Sequence, residues 1–400
     1  MRSLNLSKSL HIKDVNEEEL HAVLLSFFGN ATYPTSRIQR LTKRYAEGSL
    51  ELRYTGKGAI HSAITDMDPA EIQKLSDHIA QHLIENQVAR VGQTVCFSDE
   101  GIKGAFRYDD LFQILPAGTE YPDVLSVIAD HPFILQFRFI AGPDPIVNDL
   151  RRKPIIKEYI CHLNAVCRSG LQTAPTFTDF CWCIDTQTRP MTTRWMQRGY
   201  SVSSVLTQDL NEYSPIGRLP AIPMIAAPEY YKHGFRRSTD DFALPDNIHG
   251  LIGKIRSLTP DRRKRFDLAC TWLSMSRDIS KTSSSAEYIS RIAPVEALLQ
   301  KKAETCSSCG QPKYSIAKTL KDFLKRYVPG IEEQPHALNQ IYRVRSDLAH
   351  GLELLLTDLG QFGSPSPGSA SEMMLQYNAA QIAGSAVLNW LQEQGRDQNK

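Results

Sequence analysis

The stretch "YRVRSDLAHG", Tyr342–Gly351, sets two arginines and a histidine in what the flanking residues make a helix. On it turns the fold of the last third of the chain. Leu338, Ile341, position 345, Leu348, Leu352 and Leu355 recur at alternating spacings of three and four, the period of an apolar helical seam. Position 345 is arginine. A guanidinium in such a seam costs free energy unless it is paired, or unless the seam faces something other than core. Asp347 and Glu296 are acids that would pair it. His350 follows five residues later, which on a regular helix leaves the two side chains about 140° apart. Either the helix ends near Gly351, a natural cap residue, or the two groups meet across a dimer. By spacing alone Arg343, seven residues from His350, is the better partner for the histidine.

Helical patterns surround this stretch. "TPDRRKRFDLACTWLSMSRD", 259–278, opens on Thr259 as cap with Pro260 at the first helical position. "SAEYISRIAPVEALLQ", 285–300, follows. In "YSIAKTLKDFLKRYV", 314–328, the residues Ile316, Leu320, Phe323, Leu324 and Tyr327 form one apolar stripe, and Lys318, Lys321 and Lys325 line another face. "FGSPSPGSASE", 362–372, reads as a flexible loop. "EMMLQYNAAQIAGSAVLNWLQEQ", 372–394, closes the series as an amphipathic helix. An α-helical bundle over 257–400 is expected.

Upstream the periods mix. "NEEELHAVLLSFFG", 16–29, has an acidic first turn and a glycine stop. "SLELRYTGKGAIHSAIT", 49–65, alternates like a hairpin about Gly56 and Gly58. "DPAEIQKLSDHIAQHLIENQ", 68–87, is an amphipathic helix capped by Asp68. Its His78 and His82 share a face that reads as solvated. "KGAFRYDDLFQIL", 103–115, reads as strand, turn, strand, and "PFILQFRFI", 132–140, as a strand. "RRKPIIKEYICHLNAVC", 151–167, suggests a helix after Pro154, and "DFCWCIDT", 179–186, a buried strand. Breakers crowd 191–246, which is expected to be irregular. The fold class is therefore α+β: a small α/β module over 1–120, a mixed and irregular α+β module over 121–256, and the all-α bundle.

Net charge is +2, so no global field draws the chain to nucleic acid or membrane. The bundle segment carries 18 Lys and Arg against 15 Asp and Glu over 257–400, a weak footprint for RNA. No apolar run reaches the roughly 18 residues of a spanning helix, and the N-terminus lacks the apolar stretch of a signal peptide. A cytoplasmic chain without membrane contact is the expectation. There is no glycine-rich phosphate loop, serine-hydrolase elbow or zinc-protease helix. The run "DRRKR", 261–265, could touch phosphate, but at a helix start it reads as exposed charge.

"YRVRSDLAHG" resembles the motif of HEPN domains: an arginine, a polar residue, three more residues, then histidine, within a helical bundle. With "VEALL", "CSSCG", "YSIAKTLKDFLKRY" and a last helix after a loop, residues 255–400 resemble the branch called Apea-like. "CWCID" and "MQRGYS" in the middle segment resemble it less specifically. In that pattern the arginine is Arg345, the polar residue Ser346 and the histidine His350. The resemblance implies metal-independent RNA cleavage in a prokaryotic defence or toxin effector, with no cofactor for catalysis. It also implies an alternative, since many members are non-catalytic binding or adaptor modules. Histidine, with an unperturbed pKa near 6.5, can act as acid or base on a ribose 2′-hydroxyl and a leaving 5′-oxygen. A fixed guanidinium stabilises the charge that gathers on the phosphate. Ser346 and Asp347 would orient these groups, and Arg343, Lys321 and Lys325 would contact RNA. A homodimer or higher homo-oligomer would bring Arg345 and His350 into one composite cleft. The N-terminal region would sense or restrain, answering a protein trigger or antitoxin.

"CSSCG" places Cys306 and Cys309 at the spacing of half a zinc knuckle. Completion as a structural zinc site would need ligands from elsewhere, such as Cys181, Cys183, Cys270 or His336. The other reading is two free thiols.

Overall fold

The computed structural model describes residues 2–4, 16–32, 42–46, 50–54, 60–118, 131–173, 179–185, 192–198, 207–232, 241–280, 282–299, 304–305, 312–313, 316–360 and 367–394. The fold is α+β, mixed in its first half and helical towards its C-terminal end.

The N-terminal part is an antiparallel sheet of β1 (Arg2–Leu4), β2 (Ala31–Thr32), β3 (Thr42–Tyr45), β4 (Leu50–Tyr54) and β5 (Ile60–Thr65), in the order β1-β5-β4-β3-β2. Helices α1 (Glu17–Phe28) and α2 (Pro69–Leu83) cover it. Asn16 caps α1 and Gly29 ends it at φ 78°. Asp68 and Glu71 close a capping box on α2, satisfying two otherwise orphaned N–H groups. Leu50, Leu52 and Tyr54 alternate inward and meet Leu20, Leu24, Leu75 and Ile79. His78 and His82 share a face that is half-buried. His78 hydrogen-bonds Ser26 at 3.0 Å, its ring lies 5.2 Å from that of Phe27, and the two imidazoles are 4.1 Å apart. Burial, then the neighbouring His82, holds His78 below its ordinary pKa.

A second antiparallel sheet pairs β6 (Val88–Ser98), β7 (Phe106–Tyr108), β8 (Phe112–Pro116), β9 (His131–Ala141), β10 (Gln172–Thr173) and β13 (Thr207–Leu210). β6 and β9 match from Val88 with Ala141 to Ser98 with His131. A row of glutamines crosses it. Gln113 donates to Gln136 at 2.6 Å, and Gln136 donates to Gln93 and, at 2.7 Å, to Ser214. The Ser214 N–H returns to Gln136 at 3.0 Å, which fastens the irregular 207–232 segment to the sheet. β11 (Asp179–Asp185) and β12 (Thr192–Arg198) form a separate hairpin.

Helix α3 begins at Pro145, capped by Asp144, and runs to Cys167 with Pro154 in its interior. The expected start after Pro154 is therefore about ten residues late. Every residue from Ile160 to Cys167 is buried, so no amphipathic period marks this helix. It lies between the second sheet and the helices α4 (Ile248–Ser257), α5 (Pro260–Ile279), α6 (Ser284–Leu298), α7 (Ile316–Tyr327), α8 (Pro335–Ala349) and α9 (Pro367–Glu393). Helix α9 starts inside the stretch read as a loop, because Pro367 suits a first helical turn.

Packing groups the chain differently from the expected limits at 120 and 256. One core holds the apolar side chains from Leu20 to Leu83, joined by Val147. The other runs from Cys96 on the second sheet to Leu391 on α9 as a single cluster. Helix α3 is the reason, since its C-terminal half is covered on both sides. The "DRRKR" run takes part in this union. Arg263 donates to Asp267 at 2.7 Å and to Glu158 of α3 at 2.5 Å, and His162 of α3 meets Asp267 at 2.7 Å. Among the described residues no helix is long and apolar enough to cross a membrane.

Candidate functional site

Leu338, Ile341 and Leu348 of α8 are buried, as the seam requires. The same face carries Arg345 towards α6. There Arg345 Nε stands 2.8 Å from Glu296 Oε1, and Nη2 donates to Oε2 at 2.8 Å. One hydrogen bond and one close charge contact thus pair the guanidinium in an apolar seam. The side chains remain 27% and 24% exposed, so the pair is wet at one edge.

Helix α8 ends at Ala349. Gly351 adopts φ 69°, its N–H bonds to Leu348 O at 3.2 Å, and the Leu352 N–H bonds to Asp347 O at 2.9 Å. These two bonds make a Schellman cap, which needs a left-handed residue at position 351. His350 occupies the cap at φ −91°, ψ 1° and is exposed. The seam consequently stops short. Leu352 leaves the helix and is 71% exposed, whereas Leu355 turns back into the core.

Ser346 and Asp347 give backbone carbonyls to this cap. Among the described residues their side chains make no hydrogen bond to Arg345 or His350. Arg343 is exposed and lies two positions from Arg345, about 200° round the helix. Lys321 of α7 donates to Asn339 of α8 at 2.6 Å. Asn339 is four residues before Arg343, so Lys321 borders the Arg343 face, and Lys325 follows one turn on. The candidates thus divide into a basic strip of Lys321, Lys325 and Arg343 and, across the helix, the Arg345–Glu296 pair.

The segment after His350 is apolar yet firmly held. Leu352, Leu354, Leu356 and Leu359 are each more than half exposed. Asp358 accepts from the N–H groups of Ser284 and Ser285 at 2.7 and 2.8 Å and from the Ser283 hydroxyl at 2.9 Å, completing the N-terminus of α6. Burial would raise the Asp358 carboxyl, but these donors outweigh it and hold it below its ordinary value. Glu372 of α9 accepts from Leu356 and Thr357 N–H at 2.6 and 3.0 Å. The next residues, Met373 and Met374, are exposed too and extend the ledge. Asp358 and Glu372 carry no local sequence signal, because each acts on a segment distant along the chain.

Cys306 and Cys309 lie outside the described residues, and two-residue strands, Glu304–Thr305 and Pro312–Lys313, pair antiparallel on either side of them. The side chains of Cys181 and Cys183 also lie outside the description. Cys270 is buried in the core, where burial pushes its thiol well above the ordinary value. Among the described residues no cluster of three or more His, Cys, Asp or Glu could hold a metal ion.

Comparison with protein-family models, curated proteins and solved structures finds no match to this chain.

Proposed function

We propose that the chain is a metal-independent endoribonuclease of HEPN type that acts as a homodimer. The observation that carries this reading is the apolar ledge beside His350, whose exposed leucines are fixed by Asp358 and Glu372. A rigid apolar surface of this kind suits a second copy of the same patch. Closure would set His350 of each copy beside the other and frame a cleft edged by Arg343, Lys321 and Lys325. His350 takes the proton of the 2′-hydroxyl or protonates the leaving 5′-oxygen. The guanidinium of Arg345, oriented by Glu296, offers its remaining N–H groups to the phosphate. The products are a 2′,3′-cyclic phosphate and a 5′-hydroxyl. In this reading the N-terminal region restrains or targets the cleft, in a defence or toxin role.

One observation favours a second reading. Arg345 is engaged by Glu296 through two nitrogens, as a purely structural ion pair between α6 and α8 would be. A non-catalytic binding or adaptor module would then present the ledge to another protein. Incubation of purified chain with total RNA separates the two. Cyclic-phosphate ends that vanish with His350→Ala support the nuclease. An intact RNA pool with a dimeric protein supports the adaptor.

A further inference from the structure

A slot of about 150 Å³ opens between the second sheet and the helices α3, α4 and α5. Its walls are apolar: Phe112 of β8, Leu163 and Val166 of α3, and Ile252 and Ile255 of α4, all buried. No residue of α6 or α8 lines it, so it stands apart from Arg345 and His350. An apolar cavity of roughly 150 Å³ holds one benzene ring.

The polar side chains that line the slot are Glu158, Tyr159, His162, Arg256 and Arg263. Three of them are answered within the chain. Arg263 donates to Asp267 at 2.7 Å, to Glu158 at 2.5 Å and to the Ile255 carbonyl at 3.3 Å. His162 is buried and meets Asp267, behind the wall, at 2.7 Å. Arg256 and Tyr159 differ. Arg256, in the last turn of α4, is exposed, and among the described residues it makes no hydrogen bond or ion pair. The Tyr159 ring is half-buried, 4.8 Å from that of Phe112, and among the described residues its hydroxyl has no hydrogen-bond partner. Burial, then Glu158, raises that hydroxyl above its ordinary pKa, and the guanidiniums of Arg256 and Arg263 act against them, so the free charge of Arg256 is felt at Tyr159. The slot therefore joins a ring-sized apolar interior to two accessible donors that lack an acceptor.

We propose that this slot binds a one-ring aromatic carboxylate, the ring lying among Phe112, Leu163, Val166 and Ile252 and the carboxylate accepting from Arg256 and the Tyr159 hydroxyl. A carboxylate is acceptor-only and matches a guanidinium fork, which makes the pairing charge-assisted. A flat ring fills the slot and meets the aromatic side chains of Phe112 and Tyr159. The inference is independent of RNA cleavage, because binding alone reads it.

The test is calorimetric titration of the full chain with benzoate, benzamide and acetate. Benzoate should bind one per chain. It should bind at least tenfold more tightly than benzamide, which keeps the shape without the charge, and than acetate, which keeps the charge without the ring. Arg256→Gln, at an exposed position, should melt with the parent, weaken benzoate tenfold or more and leave benzamide unchanged. Tyr159→Phe should weaken benzoate several-fold. A benzoate affinity no greater than that of benzamide, or one that Arg256→Gln leaves unchanged, would overturn the carboxylate contact. Equal affinity for acetate would overturn the placement of the ring. Absence of benzoate binding at millimolar concentration would overturn the site.

Discussion

Arg345 and His350 differ in what their loss should do. Arg345→Ala leaves Glu296 partly buried without its partner and should destabilise the chain by about 1–2 kcal/mol, less than a dry pair because both side chains keep an edge in water. His350 is exposed at a helix cap, so His350→Ala should change stability by less than about 0.5 kcal/mol while abolishing RNA cleavage. Thermal melts beside an RNA-end assay check both. A cleaving His350→Ala variant would exclude the imidazole from the chemistry. Asp358 gives a pH prediction. Its folded-state carboxyl lies below the ordinary value, so its contribution is complete above the usual carboxylate range near 4 and is lost as pH falls through the depressed value. Asp358→Asn should melt lower than the parent at neutral pH, and the gap should close in acid. A gap independent of pH would mean that the charge contributes nothing.

At the scale of elements, the segment from Gly351 to Gly360 links α8, α6 and α9. Gly351→Ala introduces a Cβ at φ 69° and should cost about 1 kcal/mol through the cap. Glu372→Ala removes the acceptor for the Leu356 and Thr357 N–H groups, and hydrogen exchange at these two amides should rise without global unfolding. Unchanged protection would show that the ledge is held by something else. In the second sheet, Gln136→Ala removes the acceptor of the Ser214 N–H while Gln113 keeps its bond to Ser214 O at 2.9 Å, and it should cost about 1–3 kcal/mol. Chemical denaturation measures it directly.

Over the whole molecule, the two apolar cores are expected to unfold as distinct cooperative units. The sheet of residues 2–65 shares little apolar contact with the rest beyond Val147 and Leu150. The second sheet, α3 and the six later helices share one core. A fragment of 88–400 should therefore fold and melt in one transition. A fragment of 257–400 should aggregate or remain unfolded, since it exposes the faces that meet Ile156, Ile160 and Leu163. Scanning calorimetry and limited proteolysis of the two fragments decide this. A cooperatively folded 257–400 fragment would restore the bundle as an independent domain.

Local interactions were legible in the chain itself. The stop at Gly29, the caps at Asp68 and Gly351, the β4–β5 hairpin and helices α2, α5 and α7 follow from propensity, capping chemistry and period, all acting within a few residues. So did the pairing of Arg345, for which Glu296 was one of two acids named by the sequence. Tertiary structure alone decided the rest. Helix α3 hid its start because burial on all sides erases the amphipathic signal. The sequence likewise cannot show that Phe27 and Ser26 of α1 lie against His78 and leave its face half-buried. Asp358 and Glu372 act on groups far away in sequence, and no local pattern encodes a contact made by chain topology. The union of sheet and bundle into one core belongs to the same class: both faces of α3 had to find their partners before the division of the chain existed.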